Sequence, residues 1–368
     1  MSLLVKKLTL NNFRSYESAE FSLAPRTVIV GPNAAGKTNI LEALYLLASG
    51  KSFRADRESE MVRWGETAGR VQAVFERDGA RREATAMLSS GGSPGVRTQK
   101  VFQADAKKQR ARDLARTFPM VLFSADDSRL IDGSPGRRRR LLDLTISQGS
   151  VAYREALAKY GRALAGRNRL LEQIASGEST TAELAAWDEP LIAAGQTVVQ
   201  GRQTYFAQAE APLREAYESL TSRSDGVATR LTATYRPLAE DLASEIPRRR
   251  DQDLAVGTTT VGPHRDDWKL LLGNRPVVSF GSGGEYRSTV LAWRLAESEW
   301  LAAATDSSPI VLLDDVFSEL DERRQESLLT NLPERQVIIT TPSVDHLPAG
   351  LGSATTLITL AVQPQPHV

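Results

Sequence analysis

Gly31-Pro32-Asn33-Ala34-Ala35-Gly36-Lys37-Thr38 has the form G-x-x-x-x-G-K-[ST], a spacing suited to gripping a polyphosphate. Gly31 and Gly36 let the backbone curl so that successive N–H groups point inward at phosphate oxygens. Lys37 is spaced to reach the β- and γ-phosphates, and the Thr38 hydroxyl to ligate Mg²⁺. Far downstream, Ile310-Val311-Leu312-Leu313 runs into Asp314 and Asp315. Asp314 is the expected Mg²⁺ carboxylate opposite Thr38, and Asp315 the expected general base or water-positioning group, with Glu319 and Asp126 as alternatives. Between them lies Ser282-Gly283-Gly284-Glu285, a serine cap and two glycines that would expose helix N–H groups as a second phosphate cradle. One nucleotide does not need two cradles from one chain.

Elements of definite type must hold these groups. Val28-Ile29-Val30 leads into the loop as a strand, and Leu41, Leu44 and Leu47 follow at helical spacing as far as Gly50. Residues 4–10 and 19–23 read as strands, and 70–75 and 81–88 as a hairpin about Asp78-Gly79. Residues 96–102 suggest a further strand, and Lys107, Lys108, Arg110, Arg112 and Arg116 a short basic helix before a strand at 118–123. From Val151 to Ser244 the texture turns helical, with Leu157, Leu164, Leu171 and Ile174 in one pattern and 191–220 in another, interrupted at Pro212. Strands are expected again at 231–235, 268–272, 277–280, 337–341 and 356–362, with a helix from Ser282 to Leu301. The expected fold is α/β: a mixed sheet around a phosphate-loop core, formed by residues 1–150 and 256–368, with a mainly helical lobe inserted at 151–255.

The 368 residues allow two domains. A net charge of +1 provides no global field for nucleic acid, so DNA binding must rest on local patches. With no cysteine there are no disulfides, thiolate zinc sites or cysteine nucleophiles. No apolar run approaches the ~18–20 residues that span a bilayer, and residues 1–7 do not form a signal peptide, so a cytoplasmic protein is expected. Lys51, Arg54 and Arg57, then Lys107, Lys108 and Arg110, and Arg137 to Arg140 are candidate DNA-phosphate contacts. The competing reading for each is a solvated or internally paired charge. His264 suits either a nucleotide contact or a satisfied turn, and His346 a surface position.

The order of these motifs is that of ABC-type ATPases, whose second cradle grips the ATP of a partner subunit; the resemblance gives Ser282, Gly283, Gly284 and Glu285 that role. Within the class the chain resembles the RecF family of bacterial DNA repair and replication proteins. The matching stretches are 8–16, 31–43, Ser52-Phe53-Arg54, Gly133-Ser134-Pro135 with 137–143, Thr260-Val261-Gly262-Pro263-His264-Arg265-Asp266-Asp267, and 312–321. The resemblance implies an SMC-like head without the long coiled coil and a slow, DNA-stimulated ATPase. It also implies an ATP-dependent homodimer on gapped DNA and work with RecR and RecO in loading RecA. It extends the ATP contacts to Asn39 and Arg14. Two positions depart from the wider ABC pattern: Ser124–Asp127 stands where a glutamine loop is usual, and Thr340-Thr341 where a histidine is, leaving these threonines as sensor candidates. A transporter ATPase subunit and a structural SMC-like clamp are the competing functions.

Overall fold

The apolar run before Gly31 is an inner strand of a parallel sheet, as a segment buried on both faces should be. In the computed structural model, which describes residues 3–55, 57–89, 98–124, 127, 129–221, 230–332, 335–348, 351 and 355–361, the chain packs as two units. One comprises Met1–Asp127, Ala216–Gly226 and Leu291–Val368, the other Ser128–Glu215 and Val227–Val290.

The elements of the first half are β1 (Leu3–Phe13), β2 (Tyr16–Ser22), β3 (Arg26–Val30), α1 (Lys37–Ser49), β4 (Ala68–Arg77), β5 (Ala80–Ser89), β6 (Gln99–Ala104), β7 (Lys107–Gln109), α2 (Ala111–Thr117) and β8 (Met120–Ser124). There follow α3 (Arg129–Asp132), α4 (Pro135–Gly149), α5 (Val151–Ala175), α6 (Ala185–Thr221), β9 (Leu231–Arg236), α7 (Leu242–Arg248), α8 (Arg250–Val256), β10 (Asp267–Leu272), β11 (Arg275–Pro276), α9 (Val277–Phe280) and α10 (Gly283–Thr305). The chain closes with β12 (Ile310–Asp314), α11 (Glu322–Thr330), β13 (Val337–Thr341) and β14 (Thr356–Thr359).

The first unit holds a parallel sheet of order β14-β3-β13-β12-β8 and an antiparallel one of order β2-β1-β4-β5-β6-β7. In the parallel sheet Thr341 pairs with Val30, and Asp314 with Thr340 on one side and Ser124 on the other. The strand ends that carry the chemistry are therefore adjacent, at the carboxyl edge where open α/β sheets bind ligands. Helix α1 is buried along almost all its length and ends at Gly50, whose φ of 72° favours glycine.

The second unit is mainly helical, around α4, α5 and α6, with the small sheet β11-β10-β9. Its limits differ from the expected lobe at 151–255. It begins at Ser128 because α4 packs on α5 and β10, and it extends to Val290 because β10 pairs with β9.

Three expected elements are corrected. Lys107 and Lys108 lie on β7 and not on a helix: Asp105 and Ala106 both take positive φ, 48° and 62°, and close a two-residue hairpin from β6. Residues 277–280 form the short helix α9, and only Arg275 and Pro276 pair with β10. Helix α6 runs on through Pro190 and Pro212. Burial of Tyr205, Ala209 and Leu213 outweighs the local cost of about 3 kcal/mol for an internal proline.

Candidate nucleotide site

The phosphate loop leaves β3 at Gly31, whose N–H donates to Thr341 O at 3.3 Å, and enters α1 at Gly36 with φ 94°. A side chain at Gly31 would meet Leu360 O at 2.8 Å, and one at Gly36 the Tyr16 hydroxyl at 2.8 Å, so both positions require glycine. Pro32, Asn33 and Ala34 are exposed at the crest of the loop, and Ala35 is buried beneath it. Lys37 is buried and its Nζ donates to Gly31 O at 2.5 Å and Pro32 O at 3.0 Å. Burial lowers the lysine's pKa against the opposing pull of Asp315 and Asp314.

Thr38 Oγ1 donates to Asp314 Oδ1 at 2.9 Å, and Thr340 Oγ1 donates to the same oxygen at 2.8 Å. Burial raises the Asp314 carboxyl above its ordinary range, with those two hydroxyls working in the other direction. Asp315 sits at φ 54°, and its backbone N–H donates to Thr340 Oγ1 at 3.0 Å. Its Oδ1 is buried and has no hydrogen-bond partner among the described residues, an orphan acceptor left for a ligand or water. Thr341 Oγ1 donates to Ser343 O at 2.8 Å, so of the two threonines Thr340 faces the acids. Among the described residues no cluster of three or more His, Cys, Asp or Glu could hold a metal alone. Mg²⁺ fits that donor set, because it takes one or two protein oxygens and completes its shell with phosphate and water; Thr38 and Asp314 would hold it.

Behind the loop is a feature that no local pattern reveals. Glu42, on α1 and fully buried, accepts from Arg14 Nε at 2.8 Å, from a second Arg14 nitrogen at 2.6 Å, from Arg54 Nε at 3.0 Å and from the Ser52 hydroxyl. Burial alone would raise this carboxyl, but the arginine hydrogen bonds and charges overcome it and hold Glu42 below the usual range. Arg54 also donates to Asn39 Oδ1, and Asn39 Nδ2 donates to Ser15 Oγ at 2.8 Å. Arg14 and Asn39, expected at the nucleotide, are thus engaged with Glu42, Arg54 and Ser15. Arg54, expected at DNA, is engaged by Glu42 and Asn39 while still exposed, and Lys51 and Arg57 are exposed as well. Lys107, Lys108 and Arg110 are exposed also, at one edge of the antiparallel sheet.

At Ser124–Asp127, where a glutamine loop is usual, the Ser124 N–H donates to Asp127 Oδ2 at 2.9 Å, and Arg294 grips Asp127 at 3.0 and 2.6 Å. Arg294 also donates to Glu297 at 2.6 Å. Asp126 lies outside the described residues, as does the side chain of Glu319.

In the second unit Ser282 caps α10 as expected. The Glu285 N–H donates to Ser282 Oγ at 3.3 Å, and the Ser282 N–H to Glu285 Oε2 at 2.8 Å, a reciprocal capping box. That backbone bond, with the serine hydroxyl, holds Glu285 below its ordinary range. Ser282 and Gly283 are exposed, and a Cβ at Gly283 would meet nothing within 4 Å. Elsewhere in this unit Arg138 pairs with Asp267 at 2.5 Å, and Arg139 donates to Asp266 O at 2.7 Å, so these two arginines of the run at 137–140 are internally engaged. His264 Nδ1 lies 2.6 Å from the Tyr160 hydroxyl and Nε2 lies 3.0 Å from Thr259 O. That is the satisfied-turn alternative.

The chain matches the model of the RecF/RecN/SMC N terminal domain over residues 4–358. It is 34% identical over 347 residues to the DNA replication and repair protein RecF of Agathobacter rectalis, covering 94% of this chain and 93% of the relative. To the protein of that name from Thermomicrobium roseum it is 36% identical over 380 residues, covering 94% and 95%. Among solved structures, the recombination mediator protein RecF with ATP, in the RecFOR pathway, superposes with a TM-score of 0.85 at 29% identity, covering 93% of this chain and 92% of that one. An SMC head domain from Pyrococcus furiosus, at 19% identity and a TM-score of 0.53 over 94% of this chain and 90% of that one, shares the fold.

Proposed function

The chain belongs to the RecF family of DNA replication and repair proteins, and from that premise we propose that it is an ATP-driven dimerisation switch on DNA, acting in recombinational repair. The ATPase fold and the ATP-bound relatives support ATP as its nucleotide. The observation that carries the reading is the meeting of Lys37 and Thr38, at the start of α1, with Asp314 and Asp315, at the end of β12, along the carboxyl edge of one parallel sheet. Bound Mg²⁺ would offset charge on the phosphates. Lys37 neutralises the terminal phosphates, Thr38 and Asp314 hold the ion, and Asp315 orients the attacking water through its free Oδ1. Ser282, Gly283 and Gly284 offer their N–H groups to the γ-phosphate of a second copy, so hydrolysis awaits dimerisation and is slow in the monomer. Thr340 takes the place of the sensor histidine. DNA stimulates turnover by favouring the dimer, through exposed cations that include Lys51, Arg57, Lys107, Lys108 and Arg110. RecR and RecO, acting with this protein to load RecA at gaps, are the partners that the RecFOR-pathway relatives suggest. Among the described residues no helix is long and apolar enough to cross a membrane. Lys37→Met tests the site: the variant should lose tight ATP binding, and wild-type affinity would refute the loop's role.

A further inference from the structure

Two large apolar side chains stand in solvent immediately before the cap of α10: Val278 is 56% exposed and Phe280 65% exposed. Their neighbour Val277 is 1% exposed and anchors α9, which packs on β10 and β11. The Gly281 N–H donates to Val277 O at 3.0 Å, and a Cβ at Gly281 would meet that same oxygen at 2.8 Å. A tight glycine turn therefore carries the chain from Phe280 to Ser282, and the ring is held in fixed register with the capping box. The described residues leave most of the Phe280 ring in water with Val278 exposed beside it, an arrangement suited to stacking on a ligand.

We propose that Phe280 is a stacking platform for the base of the ATP held by a second copy of this chain, so that one short segment reads both ends of that nucleotide. The inference rests on the reading of Ser282–Glu285 as a cradle for the second copy's γ-phosphate. Given that contact, the nucleoside end lies one triphosphate away. Two residues of extended chain span about 7 Å and the side chain adds its own length, which gives Phe280 the necessary reach. A base presents a flat π-face to a flat ring, and such stacking holds for any base. Val278 provides the adjoining apolar wall.

The test compares ATP with ribose 5′-triphosphate, which keeps the phosphates and lacks the base. Both are used with Mg²⁺ at concentrations shown by titration to saturate the monomer, in the Asp315→Asn background so that nucleotide is not consumed. Sedimentation should show dimerisation tighter with ATP by about tenfold per stacked base, or ~100-fold for the two equivalent contacts of a two-fold dimer. Phe280→Ala should bring the ATP value to that of ribose 5′-triphosphate and leave ATP affinity of the monomer unchanged, whereas Phe280→Trp should keep the difference. Equal weakening of Phe280→Ala with both ligands would make this an apolar protein seam and overturn the proposal, as would an unaltered dimer. A parent protein that fails to dimerise with either ligand would overturn the cradle reading itself, a result distinct from both.

Discussion

Thr340 bridges the two acids of the site: its Oγ1 donates to Asp314 Oδ1 at 2.8 Å and accepts the Asp315 N–H at 3.0 Å. One hydroxyl thus orients the Asp314 carboxylate and supports Asp315 in a left-handed conformation that non-glycine residues rarely adopt. Thr340→Val, nearly the same shape, leaves a buried donor and acceptor short of a partner and should destabilise by roughly 1–3 kcal/mol. Turnover should fall further than ATP affinity, since Lys37 and the loop are untouched, and Thr340→Ser should restore most of it. Melting curves beside a binding titration and an initial-rate assay check this; equal loss of affinity and rate would deny Thr340 its positioning role.

Asp314 works against the fold it serves. Burial raises its pKa, so the folded chain holds this proton more tightly than the unfolded chain. The resulting stability is fully present below the unfolded value, about 4, and is lost as pH rises through the folded one. At neutral pH the ionised carboxylate is therefore a liability. Asp314→Asn keeps an Oδ1 to accept from Thr38 and Thr340, and should raise the melting temperature at pH 7 while abolishing Mg²⁺-dependent hydrolysis. A lower melting temperature would show that the charge is well compensated in the fold.

His264 has the opposite sign. Burial depresses its pKa to about 4, so its contribution is present above the unfolded value near 6.5 and is lost as pH falls through about 4. The neutral ring donates from Nε2 to Thr259 O and accepts the Tyr160 hydroxyl at Nδ1. Protonation should cost on the order of 3 kcal/mol across that window. Urea titrations from pH 7 to 4 should show the loss, and His264→Gln should flatten the curve; an unchanged pH profile would relocate the acid sensitivity.

Arg54 and Arg57 part company. Arg57→Ala should reduce the salt slope of DNA binding by about one, the loss of one phosphate contact. Arg54→Ala removes a partner of Glu42 and Asn39, and should lower stability and alter the ATP response with little effect on the slope. Matching slopes for the two variants would return Arg54 to the DNA surface.

The nucleotide loop, both strand-end acids and the serine cap were legible because each depends on a few residues adjacent in the chain, and glycine and capping chemistry act locally. The Glu42 hub was not legible. Arg14 and Glu42 are 28 residues apart in sequence, and only the folding of β1 and β2 over α1 joins them. The grip of Arg294 on Asp127, across 167 residues, escaped for the same reason. Lys107 was misassigned because basic periodicity looks helical, while two consecutive positive-φ residues, neither of them glycine, closed a hairpin. Pro212 misled because tertiary burial outweighed its local penalty.

The central claim is that ATP joins two copies through Ser282. In Ser282→Arg the cap is lost and a bulky cation enters the seam, at a fold cost of only about 1 kcal/mol for the cap. Sedimentation velocity with saturating ATP and Mg²⁺, beside an ATP titration, measures both halves of the claim at once. The wild-type chain should move to a dimer, while Ser282→Arg should bind ATP with unchanged affinity and remain a monomer without hydrolysis. A Ser282→Arg dimer that forms with ATP as readily as the wild type would reduce the second cradle to a helix cap and contradict the switch.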